Sequence, residues 1–259
     1  MGERIHSFRA RLTSGAPLIG TFVKTPAPVV CEVLARAPLD VVCIDAEHAP
    51  FGRIEIDACV AALRAADQPS LVRIAAGTAP EIQGALDSGA TGILVPHVTT
   101  AGQAAAIARA ARFGAGGRGY SGATRAAGFG TGGMRDHLAD SAAHTTVVVQ
   151  IEDPEALESV AAIAAVDGID ALFIGRIDLA VAMNQDPFAP AVVDAVAAVC
   201  AAGRKSGVAV GMFTPDIDEI PRWRAAGASL FLLGSDQGFM LAGARQLAAA
   251  FQERSKNGG

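Results

Sequence analysis

Eight short apolar runs, each followed by a longer stretch with helical patterning, constrain this chain more than any other feature. The runs are 18–23 (LIGTFV), 41–44 (VVCI), 70–74 (SLVRI), 92–96 (GILVP), 146–151 (TVVVQI), 171–175 (ALFIG), 208–212 (VAVGM) and 230–234 (LFLLG). They are four to six residues long and rich in β-branched side chains, as expected of parallel strands covered on both faces. Between them, Ala-rich segments at 56–66, 101–112, 154–165 and 192–207 repeat apolar positions every three or four residues, which predicts amphipathic helices. About eight strand–helix units in roughly 250 residues match the count and length of a (β/α)8 TIM barrel. The competing architecture, an open doubly wound sheet, usually carries a glycine fingerprint after its first strand, and no GxGxxG follows residue 23.

The longest break, 114–145, is too glycine-rich for one regular helix and too long for an ordinary connector. It is predicted to be a functional loop holding a short helix. Its GAGGRGY stretch completes no phosphate-binding motif. No repeat or linker divides the chain, so residues 1–259 are read as a single barrel domain. With 51% hydrophobic residues there is ample material for a core. A formal charge of −5 and the lack of a basic, aromatic-interleaved stripe argue against a nucleic-acid partner. The opening MGERIHSFRARL has no apolar signal core, and no run reaches the roughly 18 residues of a membrane span. Cys31, Cys43, Cys59 and Cys200 lie scattered in apolar segments without a CxxC, the pattern of buried, reduced thiols in a cytoplasmic protein.

In a barrel the site stands at the carboxyl ends of the strands. Asp45, Glu47 and His48 follow the second run, Arg73 sits near the end of the third, and His97 follows the fourth. Gln150 and Glu152 end the fifth, Asp178 follows the sixth in GRIDLA, and Gly234-Ser235 end the eighth. The starts of these runs offer no comparable set, and His6, His137 and His144 stand in no polar constellation. Two carboxylates from neighbouring strands, Glu152 and Asp178, suit a hard divalent cation, Mg²⁺ or Mn²⁺ ahead of zinc. The same two acids also suit helix caps or salt bridges. Arg73 in an apolar strand needs an anionic partner, which is either a substrate oxyanion or a structural carboxylate such as Asp45 or Glu47. His48 can act as a base near neutral pH with Asp45 orienting its ring, or can be an inert loop histidine.

The stretches GTFVKTPAP, VVCIDAEHAPFG, LVRI, GILVPHV, GGRGYSG, VVVQIED and LFIGRIDLA, in this order and spacing, resemble the HpcH/HpaI aldolases over about residues 18–240. The resemblance implies a modified TIM barrel of the phosphoenolpyruvate/pyruvate superfamily. It further implies a hexamer, a trimer of dimers whose subunits exchange their C-terminal helix. Such class II aldolases are carbon–carbon lyases. They bind pyruvate or a related 2-oxo acid such as hydroxypyruvate on a divalent metal (Mg²⁺, Mn²⁺ or Co²⁺), form its enolate and add it reversibly to an aldehyde. Carried over residue by residue, Glu152 and Asp178 match the metal ligands, His48 with Asp45 the catalytic dyad, and Arg73 the arginine beside the enolate. Gln150 matches a residue near the metal's water, and Glu47 an acid just behind the ligands. The GxxDL loop, here Gly175, Ile177 and Asp178, matches the cradle whose backbone amides hold the substrate carboxylate.

Arg176 and Ala180 depart from the usual proline and serine of that loop, and Arg176 is expected to add a charge near the mouth. In the implied scheme the metal acidifies the C3 proton, Arg73 faces the growing oxyanion, and His48 or a water at the metal moves the proton. Lys24 lies just past the first run and Lys205 on a helix, so no lysine ends a strand as an imine candidate. The remaining alternatives are another 2-oxo acid lyase or decarboxylase, a citrate-lyase-type CoA-ester lyase, and a non-catalytic metabolite-binding barrel.

Overall fold

Alternation along each strand decides which side chains meet inside the sheet and which meet the helices. In the computed structural model, which describes residues 2–257, the eight strands are β1 (Leu18–Val23), β2 (Val41–Asp45), β3 (Ser70–Arg73), β4 (Gly92–Val95), β5 (Thr146–Ile151), β6 (Ala171–Ile174), β7 (Ala209–Thr214) and β8 (Leu230–Ser235). Each pairs in parallel with the next and β1 pairs with β8, so the sheet closes into a barrel. The expected (β/α)8 architecture is therefore the observed one.

The first helix, α1 (Glu3–Thr13), precedes β1, and α2 (Pro28–Leu34), α3 (Arg53–Ala65), α4 (Ala79–Asp87) and α5 (Ala101–Ala110) follow β1 to β4 in turn. Then α6 (Met134–His144) leads into β5, α7 (Pro154–Ala164) follows it, and α8 (Arg176–Ala182) and α9 (Pro190–Ser206) follow β6. The chain ends with α10 (Ile220–Ala226) after β7 and α11 (Asp236–Asn257) after β8.

Leu18, Phe22, Val41, Cys43, Leu71, Leu94, Val148, Phe173 and Leu230 fill the barrel interior. Their neighbours of opposite parity, such as Val42, Ile44, Val72, Ile93, Val149 and Ile174, pack outward against the helices. The apolar runs are thus buried on both faces, as parallel strands must be. Phe8 and Leu12 of α1 are fully buried and join the interior cluster, so α1 plugs the amino-terminal end of the barrel. Burial of each such side chain is worth about 1.5–3 kcal/mol. This helix was not anticipated from sequence, because its few apolar residues sit among arginines.

Inward parity continues past the apolar layers at the carboxyl ends. Asp45 shares the phase of Val41 and Cys43, Arg73 that of Leu71, and Gln150 that of Val148. A polar layer therefore caps the interior on one side only. The break at 114–145 resolves into a 3-10 turn (Gly128–Gly130) and α6, the short helix expected there. All four cysteines are free and buried. Among the described residues no helix is long and apolar enough to cross a membrane.

Candidate active site

Asp45 and Arg73 are register partners on adjacent strands, and both point into the barrel. Arg73 Nε donates to Asp45 Oδ1 at 3.0 Å and Nη2 to Oδ2 at 2.8 Å, a parallel fork in a buried setting. Arg73 Nε also lies 3.3 Å from Glu47 Oε2. The guanidinium sits over the Phe22 ring, 4.7 Å from its centroid. Burial alone would raise the Asp45 pKa. The hydrogen bonds and charge of Arg73, the His48 amide and Lys24 outweigh burial and hold the carboxyl below its ordinary range. Burial likewise opposes the charge of Arg73, and Asp45 more than offsets it, so its pKa is raised.

The expected contact between Asp45 and the His48 ring is not the one formed. Asp45 Oδ1 accepts from the His48 backbone N–H at 3.1 Å. The turn after β2 folds the chain back onto the buried carboxylate and leaves the imidazole in the mouth. There the ring is 54% exposed, with Nε2 3.8 Å from Glu47 Oε2. Lys24 is the other departure. Inward phase carries on from Phe22, and Lys24 Nζ reaches Asp45 Oδ2 at 3.3 Å. A lysine therefore does stand at the site, one residue beyond its strand. Asp236, the first residue of α11, holds that corner by accepting the Lys24 and Thr25 amides at 2.7 and 3.1 Å.

A second group assembles around Glu152, which is 3% exposed. Its Oε1 accepts the His97 amide at 2.8 Å, and its Oε2 accepts from Gln150 Nε2. His97 adopts a left-handed backbone, φ +55°, uncommon for a non-glycine residue and a mark of local constraint. This turn brings its Nδ1 within 3.3 Å of Glu152 and 3.1 Å of Asp153, and its Nε2 within 3.6 Å of Glu47. One ligand atom each from Glu47, His97 and Glu152 lie within 4.8 Å of one another. Burial raises the Glu152 pKa against the opposing His97 and Gln150 contacts, and the nearby Glu47 charge raises it further.

Glu47 Oε2 and Gln150 Oε1 are buried with no hydrogen-bond partner among the described residues. Buried acceptors left open beside two facing carboxylates fit a cation. Gly175 makes room for them, because a Cβ there would stand 2.6 Å from Glu152 Cβ and 3.0 Å from Oε2. Asp178 is not part of this trio. It is exposed in the first turn of α8, after β6, and lines the same mouth.

The mouth is a cavity of about 360 Å³ lined by Lys24, His48, Arg73, Gln150, Gly175, Ile177 and Asp178, with Phe22, Phe173 and Phe213 as its apolar wall. The first hydrogen bond of α8 is Leu179 N–H to Gly175 O at 2.9 Å, so the amides of Arg176, Ile177 and Asp178 have no acceptor within the helix. Arg176 borders the cavity, yet it does not add the free charge expected there. It is 2% exposed, donates to Glu219 Oε2 at 2.7 Å, and stacks against Phe188 and Trp223. Its role in the structure is to tie the start of α8 to the segment before α10. Ala180 is buried on the inner side of α8.

Sequence reading set Lys24 aside, missed Asp236 and left His97 undecided. The signal for Lys24 was its even spacing from Leu18 and Phe22. For His97 there was none, since its backbone turn is a tertiary fact.

The family model for HpcH/HpaI aldolase/citrate lyase matches residues 18–242. A hydroxypyruvate/pyruvate aldolase of Paraburkholderia phytofirmans is 33% identical over 255 residues, covering 95% of this chain and 97% of that protein. A 4-hydroxy-2-oxovalerate aldolase of Rhodococcus jostii is 37% identical over 257 residues, covering 98% of each. The crystal structure of a HpcH/HpaI aldolase/citrate lyase family protein from Burkholderia cenocepacia superposes with a TM-score of 0.90 at 35% identity, over 95% of this chain and 99% of that one.

Proposed function

The chain belongs to the HpcH/HpaI aldolase/citrate lyase family and is a pyruvate-type, class II aldolase; on that premise we propose how its residues divide the work. One observation carries the proposal: a buried Asp45–Arg73 fork adjoins a carboxylate pocket fit for a cation, and Arg73 lines the cavity. The donor is pyruvate or a related 2-oxo acid such as hydroxypyruvate, and the acceptor is an aldehyde whose carbon chain meets the wall of Phe22, Phe213 and Ile177. Members of the family generally depend on a divalent metal. Glu152 and Asp178 would hold it, with Glu47, His97 and Gln150 flanking them; Mg²⁺, Mn²⁺ or Co²⁺ suits the oxygen-rich set. When bound, the metal supplies Lewis-acid polarisation of the ketone oxygen.

The chain's own residues do the rest. The Ile177 and Asp178 amides, unused by α8, receive the substrate carboxylate. Arg73 spends Nε and Nη2 on Asp45, and its Nη1 has no hydrogen-bond partner among the described residues. That nitrogen faces the oxyanion, and Asp45 holds it there. His48 Nε2 takes the C3 proton and returns one to the aldehyde oxygen, with Glu47 Oε2 as the acid nearest the ring. Phe22 and Phe173 keep bulk water from the carbanion. Residues 1–259 act as one catalytic domain in the cytoplasm, a location that fits four free buried thiols.

The test is exchange of the pyruvate methyl protons with D₂O, without aldehyde. Exchange should vanish in EDTA and return with Mg²⁺ or Mn²⁺. Borohydride added with pyruvate should leave Lys24 unmodified. Exchange that survives EDTA, together with a borohydride adduct on Lys24, would move the chemistry to an imine.

A further inference from the structure

At the opposite end of the barrel the fold brings together three residues far apart in sequence. His6 lies on α1, and Asp140 and His144 lie one turn apart on α6. His6 Nε2 is 3.0 Å and His144 Nε2 3.7 Å from the same oxygen, Asp140 Oδ1. The two rings meet edge to face with centroids 4.5 Å apart. All three ligand atoms lie within 4.8 Å of one another, and each side chain is about 30% exposed.

The hydrogen-bond chemistry of His6 is the informative part. Its Nδ1 is 2.9 Å from the Gly2 carbonyl, which can only accept, so Nδ1 carries a hydrogen. In the neutral ring Nε2 is then a bare lone pair pointing at a carboxylate oxygen. His144 Nε2 lies 3.7 Å from the same oxygen. Either a proton or a cation must sit among these atoms. We propose that it is a transition-metal cation, a second and structural site, chemically distinct from the catalytic one.

Geometry and ligand type favour this choice. Metal–ligand bonds of about 2.0–2.1 Å in a tetrahedron separate ligand atoms by about 3.3 Å. The observed 3.0 and 3.7 Å bracket that value, and all three ligand atoms lie within 4.8 Å of one another. Two imidazoles and one carboxylate favour Zn²⁺, Co²⁺ or Ni²⁺ over Mg²⁺. Partial exposure leaves room for water in the remaining positions. Arg64 also acts on Asp140 electrostatically and weakens the attraction for a cation. Its effect is to clamp the helix that plugs the barrel onto the wall, beside the Arg9 bonds to the Ala142 and Ala143 carbonyls.

Zinc stoichiometry measured on EDTA-treated protein by equilibrium dialysis separates the two sites. Wild type should bind two equivalents per chain, Glu152→Gln and His144→Ala one each, and the double variant none. Zinc should raise the Tm of Glu152→Gln but not that of the double variant. His144→Ala should keep the wild-type rate of pyruvate proton exchange. Cobalt added to Glu152→Gln should give the strong visible absorption of a low-coordinate nitrogen–oxygen site, a readout that needs no further variant to fold. One equivalent in wild type, lost in Glu152→Gln and unchanged in His144→Ala, would overturn the proposal. A Glu152→Gln protein without zinc uptake or a cobalt spectrum would do the same.

Discussion

Arg73 closes a two-point fork on Asp45, at 3.0 and 2.8 Å, from the next strand of the barrel, and among the described residues no other pair joins β2 to β3 by side-chain hydrogen bonds at the polar layer. The pair is both a structural tie and the support of a cavity-lining cation. Arg73→Ala should therefore fail in two measurable ways. Removing one member of a buried pair costs about 3–5 kcal/mol of stability, visible as a lowered Tm. Loss of the oxyanion donor should raise the barrier to pyruvate proton exchange by about 3–4 kcal/mol. Arg73→Lys should recover much of the first and little of the second, because an ammonium lacks the planar fork. A folded Arg73→Ala with wild-type exchange would leave Arg73 only its structural role.

The same pair sets an acid limit on stability. The folded-state pKa of Asp45 is depressed, so its contribution is fully present above the unfolded value of about 3.9 and is lost as pH falls through the folded value. The difference in Tm between wild type and Asp45→Asn should be large and flat near neutrality and shrink below about pH 4. A difference that stays constant down to about pH 2, well under the unfolded value, would mean that ionisation of Asp45 is not what stabilises the pair.

His48 is tied to Asp45 by its backbone and not its ring, so His48→Ala should preserve the turn and the melting temperature. Turnover should fall by roughly 10²–10⁴-fold, with little change in KM for the 2-oxo acid. Steady-state kinetics on both proteins is the check. Unchanged turnover would return His48 to an inert place in the mouth.

Helix α11 leaves Phe239, Met240, Leu241, Leu247 and Phe251 exposed on the single chain. A helix with that much apolar surface is expected to bury it against a second subunit, and the family resemblance implies that it does so by exchange within dimers of a hexamer. Light scattering at micromolar concentration should give six chains. A Leu247→Glu, Phe251→Glu variant should dissociate toward smaller species. A wild-type monomer would contradict the exchange.

Much of the barrel was legible in the sequence, because period-two and period-3.6 burial are local properties of the chain. The expected runs lie within two residues of the observed strand ends. One such shift mattered: β2 extends to Asp45, which turns that residue from a loop acid into an inward one. The chemistry-bearing residues at strand ends were also legible, since an apolar strand of known direction must deliver the residues after it to one rim. Their partners were not. That Asp45 takes Arg73 and a backbone amide in place of the His48 ring, that Arg176 is spent on Glu219, and that Lys24 turns inward all depend on closure of the sheet, which fixes the phase of every strand at once. The left-handed turn at His97 depends on a carboxylate 55 residues away. The chain by itself determined a closed barrel with a polar rim. Which polar atoms meet was decided only when β1 paired with β8 and α1 docked on α6, because those contacts join segments with no local signal for one another.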